Sequence, residues 1–170
     1  MNLIRTIALG AVCFNGIATA QKVVSQYDRA TDFSKFKTYK WMIIQATTPP
    51  NQITAQNIVG LVNTALGEKG LLQSEGNTDL LVGFETSVDQ QRQISRFNNG
   101  GPRMGGMGQA TTSNIEVGTL VVDMYDPGQK QLVWRSSATK TLTPGGNPEK
   151  NYERLQKAVD KLLKDFPPKK

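Results

Sequence analysis

The sequence contains no histidine and a single cysteine, Cys13. Histidine is the usual general base at neutral pH and a common ligand of transition metals, and cysteine supplies the thiol nucleophile. Cys13 lies in an N-terminal segment that we expect to be removed, so the mature chain keeps neither residue type. The composition therefore disfavours the commonest enzyme and metal chemistries. We expect no catalytic residues, no metal site and no cofactor.

The sequence also has no long run of basic residues. Lysine and arginine total 20 against 14 aspartates and glutamates, a formal net charge of +6. Proteins that bind nucleic acid concentrate their basic residues in a patch or stripe, and aromatic residues are not interleaved with such a stripe here. We therefore expect no nucleic-acid partner, although a mild attraction to anionic envelope surfaces stays open.

The first 20 residues have the pattern of a secretory signal peptide. Arg5 precedes an apolar run over 7–17, and Ala18-Thr19-Ala20 matches a small-residue cleavage site. The run is shorter than the roughly 20 residues that span a bilayer, so we expect cleavage after Ala20 and no transmembrane segment afterwards. Two alternatives remain, a buried N-terminal helix and a lipoprotein acylated at Cys13. Lipidation requires a small residue before the cysteine, and Val12 stands there.

The mature chain, residues 21–170, has the length of one domain. Alternating apolar and β-branched residues predict strands, and apolar residues three and four apart predict helices. The predicted strands are 23–28, 38–44, a long strand from 80 that turns polar and leaves the core beyond 89, 117–125 and 132–142. The predicted helices run from Asn51 or Thr54 to Gly67 or Gly70, and from Pro148, capped by Asn147, to Pro167. This order favours an α+β fold, a twisted antiparallel β-sheet with two α-helices packed on one face.

Three side chains within the predicted strands each have a functional and a structural interpretation. Asp123 lies inside the apolar strand LVVDMYD; it is either a perturbed acid or ion ligand, or a carboxylate paired with Arg135 on the next strand of the DPGQ hairpin. We favour the pair. Trp41 and Trp134 either stack on a ligand or pack in the core, and we favour the core because aromatic side chains dominate such packing.

A glycine-rich segment over 98–113, NNGGPRMGGMGQATTS, separates two predicted strands. Glycine-rich loops can cradle phosphate, but this segment lacks the lysine and hydroxyl of a P-loop, and no helix follows it. We therefore expect a flexible loop. Arg103, Met104 and Met107 are candidate binding residues, because flexible methionine-rich surfaces accommodate varied partners.

Four stretches carry a resemblance to a known family: YDRATDFSKFKTYKW, NTDLLVGFE, GTLVVDMYDPGQKQLVWRSSATKTL and LLKDFPPK. Together they cover nearly all of residues 23–169, and the third is the most specific. The chain resembles the exported bacterial proteins catalogued as domain of unknown function 4136. That resemblance implies an envelope protein, many relatives being lipoproteins, with a glycine-rich insert before the GTLVVD strand. It implies no catalytic residues, because the family carries no established activity.

The sequence thus predicts an exported, non-catalytic structural or binding module in the periplasm or at the outer membrane. It would act by surface recognition of an envelope protein, through the sheet face left bare by the helices or through the glycine-rich loop. Two alternatives stay open: an accessory subunit of an envelope assembly, with the loop ordering on its partner, and a carboxylate-based enzyme that works through Asp123. The sequence leaves the partner, the ligand and the oligomeric state open.

Overall fold

The computed structural model describes residues 21–44, 48–97, 109–142, 145 and 147–169. In that part of the chain, six strands form one sheet in the order β1-β6-β5-β4-β2-β3, accompanied by two α-helices and a short 3-10 helix, Phe33–Lys35. The strands are β1 Lys22–Tyr27, β2 Thr38–Trp41, β3 Leu72–Gln73, β4 Leu80–Phe97, β5 Gln109–Asp126 and β6 Gln131–Thr141. The helices are α1 Gln52–Glu68 and α2 Pro148–Leu162.

The α+β fold predicted from the sequence is confirmed, but the sheet is mixed rather than purely antiparallel. β2 pairs in parallel with β4 and also with β3. Parallel neighbours need a crossover connection of a dozen or more residues, and α1 supplies it between β2 and β4. The hydrophobic pattern of each strand does not report the direction of its neighbour, which explains the error. With two residues, β3 is too short to show a period.

Strands β4 and β5 form a long antiparallel ladder that reaches past the helices. Each has 18 residues, and pairing continues as far as Phe97 opposite Gln109. Side chains 89–92 are exposed, so β4 leaves the core beyond Asp89 as predicted, while its backbone stays paired. β5 begins at Gln109, inside the segment 98–113 that was expected to be loop. The β-branched Thr111 and Thr112 suit a strand whose pairing supplies the hydrogen bonds.

Asparagine caps begin both helices: Asn147 is the predicted cap of α2, and Asn51 is one of the two starts predicted for α1. The Asn51 side chain accepts a hydrogen bond from the Thr54 N–H at 2.9 Å. The Asn147 side chain accepts the Glu149 N–H at 2.8 Å, and Pro148 occupies the first turn, where its missing N–H costs nothing. After α1, Gly70 takes a positive φ of 84°, which favours glycine and ends the helix.

Both helices bury their apolar sides in one core on the same face of the sheet. Val62 and Leu66 of α1 lie in a single cluster with Val159 and Leu162 of α2 and with buried sheet residues such as Val122. α1 also packs against α2, and α2 lies over β6 and β1. The predicted placement of both helices on one face is therefore confirmed.

An aromatic cluster forms the part of the core that lies near the C-terminal end of α2. Trp134 is 1% exposed, and its ring lies 5.2 Å from Phe166 and 6.4 Å from Phe33, edge to face. Phe33 and Phe36 are buried as predicted. In β6 the register skips Val133, because Trp134 opposes Met124 and Leu132 opposes Tyr125. Such a β-bulge lets neighbouring residues share one face, and both Val133 and Trp134 are buried.

Hydrogen bonds to the Asp79 side chain link the start of β2 to the start of β4. Its Oδ2 accepts the backbone N–H groups of Lys37 and Thr38 at 2.8 and 2.9 Å, and the Thr38 hydroxyl at 3.0 Å. The Lys37 N–H is the largest influence on the Asp79 carboxyl; with the Thr38 donors it outweighs the opposing effect of burial and holds the pKa below the ordinary value of 3.8. A carboxyl with a depressed folded pKa stabilises the fold above its unfolded pKa.

We predict that Asp79→Asn reduces the acid sensitivity of the fold. The wild type loses the Asp79 contribution as the pH falls from above the unfolded pKa through the depressed folded pKa, whereas the amide does not titrate. Urea unfolding at a series of pH values measures this. Glu153→Gln, on the exposed surface of α2, serves as the control and should follow the wild type. Parallel curves for Asp79→Asn and the wild type would contradict the assignment.

Candidate functional site

The face of the sheet opposite the helices is the first candidate surface. Directly opposed residues in a sheet point to the same side, and Asp123 is opposed by Gly83 on β4 and by Arg135 on β6. Their neighbours Met124 and Trp134 point into the core, so these residues point away from it. Among the described residues, neither helix covers this side. We call it the open sheet face, comprising Val24, Leu81, Gly83, Glu85, Thr119, Val121, Asp123, Tyr125, Leu132, Arg135, Ser137 and Thr139.

The segment after β2 covers one margin of the open sheet face. A Cβ added to Gly83 would lie 2.5 Å from Ile44 Cδ1 and 3.1 Å from Met42 Cγ. Both distances are shorter than ordinary van der Waals contact, so the two side chains lie directly on the glycine backbone. A Cβ at this position would force the side chains of Ile44 and Met42 to move, so glycine allows their close approach to the backbone of β4.

An ion pair occupies the middle of the open sheet face. Arg135 donates from Nε to Asp123 Oδ1 at 2.6 Å and from Nη2 to Asp123 Oδ2 at 2.5 Å, while Glu85 Oε1 lies 3.5 Å from the same Nη2. The Asp123 side chain is 5% exposed and the Arg135 side chain 45%. The hydrogen bond to Asp123 raises the pKa of Arg135 above its ordinary value. The ion-pair interpretation of Asp123 is confirmed, and both of its oxygens are engaged.

Other carboxylates in the described part of the chain also serve the fold. Asp126 accepts hydrogen bonds from Lys35 Nζ at 2.8 Å and from two N–H groups of the β5–β6 turn. Burial raises the pKa of Asp126, but Lys35 and these donors outweigh it and leave the pKa lowered. The Thr31 hydroxyl, 2.7 Å away, is the largest cause of a lowered pKa at Asp28. General acids need a raised pKa, and the shifted carboxylates here move the other way.

The two tryptophans pack within the protein. Trp41 Nε1 and Tyr39 Oη both donate to Asn63 Oδ1, at 2.9 and 2.8 Å, which joins β2 to α1. Trp41 also packs edge to face on Phe84 with a centroid distance of 6.1 Å. The predicted core role of Trp134 is confirmed, although its buried Nε1 has no acceptor among the described residues.

Two open depressions adjoin β1, and they form the second candidate surface. The smaller, of about 380 Å³, lies between Tyr27, the following 3-10 helix and Pro167. The larger, of about 920 Å³, lies between β1 and the chain that ends α2, and we call it the β1 groove. Its walls are Val23, Ser25 and Tyr27 of β1, Trp134, and residues from Lys161 to Lys169. The sequence did not reveal it, because its two walls are more than 130 positions apart.

The predicted binding residues Arg103, Met104 and Met107 lie outside the described residues, as do Cys13 and the segment 1–20. Within the described ranges, no group of three or more acidic or cysteine side chains is placed to hold a metal ion. No helix in that part of the chain is long and apolar enough to cross a membrane.

Comparison with known sequences identifies one family. The model of a domain of unknown function, DUF4136, matches residues 23–168, the range over which the sequence resemblance was noted. No curated protein matches the chain.

Solved structures share the fold at low sequence identity. A PDZ domain protein from Parabacteroides distasonis is 15% identical with a TM-score of 0.59, and the match covers 88% of this chain. The chain spans 37% of that protein. PelC from Paraburkholderia phytofirmans, a dodecamer, is 11% identical with a TM-score of 0.54, over 89% of this chain and 100% of the PelC chain. A second PelC dodecamer gives 12% and 0.52. At these identities, the likeness is one of fold.

We predict that the Asp123–Arg135 pair is energetically coupled. Arg135→Leu leaves a buried carboxylate without its guanidinium, and we expect it to cost about 2 kcal/mol of unfolding free energy, allowing for the exposed side of Arg135. Asp123→Val with Arg135→Leu should cost less than the sum of the single changes, by about 1 kcal/mol. Urea denaturation of the four proteins measures this. Glu85→Gln, at the longer distance, should stay within about 0.5 kcal/mol of wild type, and strict additivity would contradict the coupling.

Proposed function

The chain belongs to the DUF4136 family, and we propose that it is an exported, non-catalytic binding module of the bacterial cell envelope that recognises a protein partner with its open sheet face. The observation that carries this proposal is the one-sided packing of the sheet. Both helices lie on the core side, and among the described residues neither helix covers the other side.

The open sheet face has the mixed character of a protein-binding surface. Val24 and Leu132 are each 44% exposed, and the half-buried Tyr125 lies opposite Leu132. Small hydroxyl side chains follow the ion pair along β5 and β6: Ser137 comes next to Arg135 on this face, and beyond it Thr119 and Thr139 bond to each other at 3.2 Å. Non-obligate interfaces are about as apolar as the remaining surface, with aromatic residues and arginine enriched and few unpaired charges at the centre. The half-exposed Arg135, already fixed by Asp123, suits such a centre.

The state of the carboxylates supports a non-catalytic role. Asp28, Asp79 and Asp126 have lowered pKa values, and both oxygens of Asp123 are bound by Arg135. A general base must be free to accept a proton from a substrate. These four side chains instead hold turns and strands in place. The mature chain, which we expect to lack histidine and cysteine, therefore also has no free general base among these four carboxylates.

The N-terminal sequence supports export. Arg5, the apolar run and the alanine site after Ala20 together favour secretion and cleavage. Arg5 is the only charged side chain in residues 1–20, so cleavage leaves 19 basic residues against 14 acidic ones in the mature chain. We place this chain in the periplasm or at the outer membrane.

The second candidate is a subunit of an envelope assembly. PelC forms a dodecamer with the same fold, and the match spans the whole PelC chain. A sheet with an uncovered face provides a surface on which copies of one chain, or a larger partner, can pack. Native mass spectrometry of the mature chain separates a self-assembling subunit from a monomer that binds another protein.

We predict that Thr119→Arg with Ser137→Arg abolishes partner binding without unfolding the protein, because two large cations obstruct the open sheet face. The tagged chain is purified from the periplasmic fraction after cross-linking, its N-terminal residue is checked to be Gln21, and co-purifying proteins are identified. Gln56→Arg with Gln156→Arg, both exposed on the helices, is the matched control and should retain the partner at an equal melting temperature. Retention of segment 1–20, or an unchanged partner in the open-face variant, would contradict the proposal.

A further inference from the structure

Strand β1 ends the sheet, and its outer edge is unpaired in the described part of the chain. The Asp28 N–H donates to the Val133 carbonyl at 3.0 Å, so at this position the backbone points towards β6. Backbone groups alternate in direction along an antiparallel strand. Gln26 and Val24 therefore also point to β6, while the N–H and C=O groups of Val23, Ser25 and Tyr27 point outwards. No hydrogen bond within the described ranges uses these outward groups.

The same three residues line the β1 groove, and they oppose the buried residues Ala138, Ser136 and Trp134, so their side chains point to the side of the helices. The outward backbone groups of β1 and the groove wall over 161–169 therefore border one space. A chain laid along β1 would hydrogen-bond its backbone to Val23, Ser25 and Tyr27 and direct alternate side chains into the groove, since side chains alternate along a strand. Tyr27 is 43% exposed, and its ring stacks on the buried Trp134 at 5.9 Å, so two stacked aromatic side chains line the groove.

The wall opposite β1 is basic. Lys161, Lys164 and Lys169 line the groove with one carboxylate, Asp165. No ion pair in the described part of the chain engages any of the three ammonium groups. Two further carboxylates, Asp28 and Asp32, line the adjoining smaller depression, and each already accepts hydrogen bonds from its own turn. The β1 groove itself therefore favours an anionic occupant.

We propose that the β1 groove binds an extended acidic segment of a partner protein, which joins the sheet as an added strand on β1. Strand addition gives affinity through backbone hydrogen bonds and specificity through pockets for alternate side chains. The alternating donors and acceptors of Val23, Ser25 and Tyr27 match a polypeptide, whereas a phosphate would satisfy the donors alone. A second copy of this chain fits poorly, because edge-to-edge pairing would bring two sets of lysines together.

This inference goes beyond the proposed role of the open sheet face, because it uses a different edge and a different wall of the molecule. The two ideas fail separately. Loss of the envelope partner in the open-face variant tests the first, while peptide binding in the groove tests the second.

The probe is a fluorescein-labelled peptide of about eight residues with alternating glutamate and valine, titrated into the mature chain 21–170. We expect binding by fluorescence anisotropy, together with slowed amide exchange at Val23, Ser25 and Tyr27. Lys161→Glu with Lys164→Glu should weaken binding about tenfold or more. Lys150→Glu with Lys157→Glu, exposed elsewhere on α2 and absent from the groove lining, makes the same charge change and should leave binding within about twofold.

Ser25→Pro tests the strand addition directly. It removes an outward N–H and leaves the backbone bonds between β1 and β6 in place, as proline is tolerated on the free side of an edge strand. It also removes the Ser25 hydroxyl, which bonds to the Ser136 hydroxyl at 2.8 Å, so Ser25→Ala, which keeps the N–H, is the matched reference. We expect Ser25→Pro to bind about tenfold more weakly than Ser25→Ala at a similar melting temperature. If this variant fails to fold, the lysine reversals decide the question, because those side chains are exposed.

Any one of the following results would overturn the proposal. One is equal binding of a peptide in which lysine replaces glutamate. Another is binding that the lysine reversals leave unchanged, or that leaves the three β1 amides exchanging freely. The last is a concentration-dependent dimer, in the absence of peptide, that protects the same amides, since it would assign the groove to a second copy of the chain.

Discussion

The one-sided burial of the sheet is the constraint on which the rest of the structure depends. Val62 and Leu66 from α1, and Val159 and Leu162 from α2, enter a single core with the same face of the strands. Burial of apolar area is the main favourable term in folding, so the core forms on that side. The consequence is a sheet whose second face has no helix over it within the described ranges, and this face can remain polar and available.

The buried charge on the open sheet face is paired, so that it does not destabilise the fold. Asp123 lies almost fully buried in the centre, and its bidentate bonds to Arg135 satisfy both of its oxygens. An unpaired carboxylate at that depth would be strongly destabilising. Asp79 and Asp126 similarly satisfy backbone N–H groups at the ends of strands. Asp79, Asp123 and Asp126 thus hold strands and turns in place, in keeping with the recognition role proposed above.

Local features were predictable from the sequence, and long-range pairings were not. Asn51 and Asn147 mark the starts of the helices in the sequence, because capping is a contact between near neighbours. The DPGQ turn joins two strands that are neighbours in the sequence, which suggested that Asp123 pairs with Arg135. The parallel alignment of β2, the two-residue β3 and the start of β5 at Gln109 depend on partners elsewhere in the chain, which no local pattern reports.

The candidate sites follow the same division. Asp123 stood out as a charge in an apolar strand, and the structure gives it the expected partner. The β1 groove lies between β1 and the residues at and after the end of α2. In the sequence, the lysines of its basic wall look like those of an ordinary helix C-terminus, so they did not indicate a groove. The glycine-rich segment 98–113 was singled out by its composition. The binding role of Arg103, Met104 and Met107 within it stays a prediction.

Hydroxyl-radical footprinting in intact cells tests the central claim, that the open sheet face is the surface occupied in the envelope. Val24 and Leu132 on this face are each 44% exposed, and Tyr152 on α2 is 45% exposed, so the free protein offers matched reporters on opposite sides. We expect oxidation of Val24 and Leu132 to fall in the envelope relative to the purified chain, while Tyr152 is oxidised equally in both. Equal oxidation of all three residues in both settings, or protection confined to Tyr152, would contradict the account.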